Sequence, residues 1–87
     1  MTLDDLFVLI EELRVQGIHF ELGYAGFGNN LVMVSLSKYN YAEYDDYGNP
    51  VKYTIRKVFD CELSEYFSSF VSQMREELET SMRGEKQ

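Results

Sequence analysis

Eighty-seven residues, 45% of them hydrophobic, make a single domain (1–87) with a small core that buries about 60% of the unfolded surface. Eight basic against fifteen acidic side chains leave a formal net charge of -7, which opposes phosphate backbones and anionic lipid and so disfavours direct nucleic-acid or membrane binding. One cysteine and one histidine supply neither a disulfide framework nor a convergent ligand set, so no metal site and no cofactor are expected.

The first residues carry Asp4 and Asp5 rather than a basic leader, and no apolar run approaches the roughly 18 residues of a membrane span. A cytoplasmic protein is expected, in the host cytoplasm if a phage encodes it. Thr2 followed by Asp5 is a capping-box pair that starts a first helix, and Gly17 is a suitable stop. Leu3, Leu6, Phe7, Ile10 and Leu13 recur at spacings of three and four and predict its buried stripe, with Glu11, Glu12 and Gln16 toward water.

After Gly17 the period changes to two. Ile18, Phe20, Leu22 and Tyr24 predict the inner face of a strand, with His19, Glu21 and Gly23 outside. Gly26 to Asn30 predicts a hairpin turn. It is not a phosphate cradle, because it leads into an alternating strand rather than a helix N-terminus. The second strand runs from Leu31 to about Tyr41 with Val32, Val34 and Leu36 inward. The third runs from Val51 to Phe59, after Pro50, with Val51, Tyr53, Ile55 and Phe59 inward. Lys52 and Arg56 share its outer face with Lys57 next along, and either balance Glu21 across the sheet or form a small basic patch.

Asp60 or Ser64 caps a final helix whose stripe is Leu63, Phe67, Phe70, Val71, Met74 and Leu78, and the chain frays from about residue 83. Cys61 reads as a small, half-buried hydrophobe. The fold expected is α+β: αβββα, a three-stranded antiparallel meander with two helices packed on one face.

The segment from Tyr39 to Pro50 interleaves Tyr39, Tyr41, Tyr44 and Tyr47 with Glu43, Asp45 and Asp46 on a connection that should be exposed. Asp45 and Asp46 are adjacent and point apart, and the spaced oxygen ligands of a calcium loop are missing. His19 beside Glu21 has no recognisable nucleophile or acid partner, so no catalytic residue is assigned and an enzyme is not expected. The segment reads instead as an acidic, aromatic contact surface. If residues 43 to 45 are extended, Glu43 and Asp45 lie on one side about 6.6 Å apart, a spacing of the order of successive phosphates. Tyr41, Tyr44 and Tyr47 add stacking area for guanidinium groups, unless some of these rings pack into the core.

The αβββα order resembles that of the double-stranded-RNA-binding domain. The segment matching that family's phosphate-gripping lysines reads Asp60-Cys-Glu-Leu-Ser-Glu65 here, so no RNA-binding residue carries over. In size, acidity and element order the whole chain resembles the small anti-CRISPR proteins of phages and mobile elements. That resemblance implies an inhibitor that mimics DNA, with Glu43 to Tyr47 and Glu21, or Glu62 and Glu65, set against a basic nucleic-acid-binding surface, such as that of a Cas nuclease. The competing expectation is a homo-oligomeric structural or accessory protein of a phage or mobile element, in which sheet edges or tyrosines pair with a second copy. Monomer and homodimer are both compatible with the sequence.

Overall fold

A computed structural model of the chain describes residues 2–25 and 30–84. Helix α1 spans Leu3–Val15 and is capped reciprocally at its start. Thr2 Oγ1 accepts from the Asp5 N–H at 3.2 Å, and the Asp5 carboxylate accepts from the Thr2 N–H at 3.1 Å. The bond from the Thr2 backbone, foremost among several causes, holds the Asp5 carboxyl below the usual carboxylate range. At the other end Gly17 sits at φ 78°, where a side chain would be strained. Its N–H donates to Arg14 O while Ile18 N–H donates to Leu13 O, both at 2.9 Å, which closes the helix in a Schellman motif. Leu13 and Ile18 are both buried, so the helix stop is also the entry to the core.

Strands β1 (His19–Tyr24), β2 (Leu31–Tyr44) and β3 (Pro50–Asp60) form an antiparallel sheet in the order β1-β2-β3. Phe20 stands opposite Leu36 and Leu36 opposite Ile55, so the alternation in all three strands turns one apolar face the same way. Asp60 Oδ1 accepts from the Glu62 N–H at 2.9 Å and starts a 3-10 segment, Cys61–Tyr66, that leads into helix α2, Phe67–Met82. Phe67, Val71, Met74 and Leu78 of α2 are buried with Val34, Leu36 and Phe59 of the sheet. The Phe59 ring lies 5.0 Å from Phe67 and 4.8 Å from Phe70, and Phe20 meets Phe67 edge-on at 6.2 Å. The αβββα architecture is therefore as the sequence indicates, with the helices on one face and the other face of the sheet uncovered.

Several expectations need correction, among them Leu22 and Tyr24 of β1, expected inward but substantially exposed toward the end of the strand. The apolar face of α1 is turned: Leu13 is buried and Leu6, Leu9 and Ile10 are half-buried, whereas Leu3 and Phe7 are 70% and 63% exposed. The helix is apolar on two sides, and the side anchored through Leu13 to the Schellman turn is the one that packs. Leu63 is half exposed, because the final helix begins only at Phe67 and the preceding 3-10 turns do not continue its stripe. Cys61 is exposed rather than half-buried, lying on that same 3-10 segment. Lys57, next along from Arg56, joins no outer-face patch: it lies on the helix-facing side, where its Nζ pairs with Glu77 of α2 at 2.8 Å. The expected turn at 26–29 and the last three residues of the expected frayed tail lie outside the described residues.

Candidate functional site

The tyrosine-acid segment is largely strand rather than loop. β2 continues to Tyr44 and β3 begins at Pro50, so only residues 45–49 connect them. Pairing passes from Asn40 opposite Val51 to Tyr44 opposite Pro50, so Tyr41, Ala42 and Glu43 form an enlarged bulge in β2. Asn40 holds that bulge from within. Its Oδ1 accepts from the Ala42 N–H at 3.0 Å and its Nδ2 donates to Glu43 Oε1 at 2.9 Å. The Tyr53 hydroxyl reaches the same carboxylate from β3, donating to Oε1 at 2.8 Å and Oε2 at 3.0 Å. That donation favours the neutral phenol and raises the Tyr53 pKa, with lesser help from desolvation and the Glu43 charge.

The turn is held by Asp45. Its Oδ1 accepts from the N–H groups of Tyr47 and Asn49 at 2.9 and 3.0 Å, its own N–H donates to Asn49 O at 2.8 Å, and Gly48 adopts φ 81°. Glu43 and Asp45 are not available as a free pair of carboxylates. Both carboxylates are engaged in the hairpin's own hydrogen bonds, one tied to the Tyr53 hydroxyl and the other turned onto the loop backbone. Asp46 makes no hydrogen bond or ion pair among the described residues. It is the acid of the segment that meets solvent unengaged.

The rings do not pack into the core. Tyr47 is 90% exposed, and Tyr41 and Tyr44 also face water. Tyr39 and Tyr41 lie 6.3 Å apart with their planes tilted by 38°, and Lys52 Nζ stands 6.0 Å from the centre of the Tyr39 ring. Together with Asp45, Asn49 and Pro50 these side chains line an open groove at the base of the hairpin. Tyr39, Tyr41 and Lys52 thus share one groove with the fixed turn, while Tyr44, Asp46 and Tyr47 are exposed on the same hairpin.

Glu21 does not belong to it. It lies opposite Ser35, four residues down β2 from Tyr39, or about 14 Å along the strand. His19 Nε2 contacts its Oε1 at 2.9 Å. That bond and the His19 charge, then Lys52 and Arg56 on the same outer face, lower its carboxyl pKa. Lys52 and Arg56 thus act on Glu21 only as lesser charges across the sheet, with no direct ion pair to it among the described residues. Glu62 accepts from Asn30 Nδ2 at 2.8 Å, tying the 3-10 segment to the start of β2, and Glu65 lies in a groove between α1 and α2. The hairpin, Glu21 and the Glu62–Glu65 pair are thus three separate places.

Sequence reasoning missed Asn40 and Tyr53 as the residues that shape the site. The signal available was Tyr53 on an inward position near a strand end, where a phenol needs a polar partner. Among the described residues no group of three or more His, Cys, Asp or Glu could hold a metal ion, and no helix is long and apolar enough to cross a membrane. No family model, curated protein or solved structure matches the chain.

Proposed function

We propose that this chain is a non-enzymatic interaction module, an inhibitor whose acidic, tyrosine-rich hairpin occupies a basic nucleic-acid-binding surface of a partner protein in the manner of a DNA mimic. The observation that carries the reading is the hairpin itself: Tyr41, Tyr44, Asp46 and Tyr47 are all exposed on a hairpin whose turn is fixed by Asp45. A pre-shaped turn lowers the ordering cost of binding, and rigid tyrosines give contact area with few rotatable bonds. The net charge of -7 favours encounter with a basic surface and disfavours direct contact with nucleic acid. An anti-CRISPR role against a Cas nuclease in a phage-infected cell is the specific form of this reading that the resemblance in size, acidity and element order supports.

Affinity capture from the source cell, repeated with excess duplex DNA, tests it. The reading expects nucleic-acid-binding proteins on the wild-type bait, released by the DNA and lost from an Asp46→Asn, Tyr44→Ala, Tyr47→Ala bait. Captured proteins indifferent to both DNA and those substitutions would overturn it. Exposed tyrosines on a hairpin between two open sheet edges also suit the second reading, a homo-oligomeric accessory protein of a phage or mobile element. Sedimentation separates the two: a concentration-independent monomer removes self-assembly, and a stable dimer disrupted by Tyr44→Ala and Tyr47→Ala replaces the partner reading.

A further inference from the structure

We infer that the helix-free face of the sheet is a second docking surface, fitted to an extended acidic segment of another protein and sharing only Lys52 with the hairpin groove. Its centre is polar. Ser35 and Ser37 of β2 are only 8% and 7% exposed although no helix covers them, because longer neighbours such as Glu21 and Arg56 close over these small side chains and Ser37 Oγ lies 3.2 Å from Thr54 Oγ1. The β3 side carries Lys52 and Arg56, neither in a direct ion pair among the described residues, while Arg14 and Lys57 are paired elsewhere.

The cations impose a spacing. Lys52 and Arg56 stand four residues apart on one strand face, about 14 Å, which equals the separation of two acids four residues apart in an extended peptide. Two positions beyond Arg56 the face becomes apolar: Val58 is half exposed next to Met33, and Gly23 opposite Met33 leaves the space of a missing side chain. The fitting sequence is therefore acid, three spacers, acid, spacer, aliphatic. Glu21 opposes such a ligand because it already draws on both cations. The net charge of -7 opposes long-range approach, so the contact depends on short-range pairing and is weak and short-lived.

Titrating the 15N-labelled protein with a capped Glu-Gly-Gly-Gly-Glu-Gly-Leu peptide tests the inference. Amide shifts should centre on Ser35, Ser37 and Thr54, and Lys52→Ser and Arg56→Ser should each weaken binding about two- to fivefold, the range of one exposed ion pair. Glu21→Gln should tighten it, and a peptide with the second acid moved by one residue should bind more weakly. These are exposed positions, so the variants keep the fold, which the same spectra verify. Absence of shifts on this face, indifference to acid spacing, or weakening by Glu21→Gln would overturn the inference. Lys52 also lines the hairpin groove, so Arg56→Ser is the variant specific to this face, and the hairpin reading, carried by Tyr44, Asp46 and Tyr47, does not depend on its outcome.

Discussion

Replacing Asp45 by Ala removes the acceptor on which the hairpin turn is built. The N–H groups of Tyr47 and Asn49, bonded to Asp45 Oδ1 at 2.9 and 3.0 Å, then have only water. The arrangement matches a helix N-cap in its chemistry, and loss of such a cap costs about 1 kcal/mol, within about 0.5–2. For a domain of this size that lowers Tm by about 4–8 °C per kcal/mol. Asp46→Ala removes the same charge one residue away but no bond, and belongs with surface changes of within about 0.5 kcal/mol. The neighbouring substitutions therefore isolate the bond from the charge. Thermal denaturation followed by circular dichroism reads the global effect, and amide exchange at Tyr47 and Asn49 reads the turn directly, even if it opens locally. Equal Tm for the two variants together with unchanged exchange at both amides would refute the assigned role of Asp45.

Phe7→Ser should leave stability within about 0.5 kcal/mol, whereas Leu13→Ala should cost about 2–5 kcal/mol in urea denaturation. The pair checks which side of α1 is packed. Tyr53→Phe should loosen the bulge at neutral pH, seen as faster amide exchange at Ala42. Because the folded pKa of Tyr53 is raised, its contribution is complete below the unfolded value of about 10 and is lost as pH rises through the folded one. An alkaline stability titration should therefore show a loss in wild type that Tyr53→Phe lacks. Thr2→Ala should destabilise by about 0.5–2 kcal/mol at neutral pH. The Thr2 backbone bond that chiefly depresses the Asp5 carboxyl survives in that variant, so Asp5→Ala is the one whose difference from wild type should be complete above the unfolded Asp pKa, about 4, and shrink as pH falls through the folded value.

The parts of the fold that local chemistry dictates were legible: the Thr2–Asp5 cap, the Gly17 stop and strands whose alternation fixed Val34 and Leu36 inward. What the sequence could not rank was two apolar sides of one helix. Leu3 and Phe7 are as hydrophobic as Leu6 and Leu9, and the choice is made by the tertiary anchor through Leu13 and Ile18. The hairpin shows the same limit. Its residue types marked a contact surface, and the exposure of Tyr41, Tyr44 and Tyr47 agrees with that. The fate of Glu43 depended on Tyr53, ten residues away and brought alongside only because β2 carries three extra residues. A bulge of that size has no period to read, so carboxylates that looked equivalent became two structural groups and one free one.

The most direct test of the account is to titrate the 15N-labelled protein with octa-arginine at about 50 and 200 mM salt, a range over which exposed charge pairing is strongly screened. The account predicts shifts concentrated at Tyr41, Tyr44, Asp46 and Tyr47, an affinity that falls as salt rises, and weakened binding in an Asp46→Asn, Tyr47→Ala variant. Shifts confined to the acids of α1 or α2, with the hairpin amides unmoved, would contradict it.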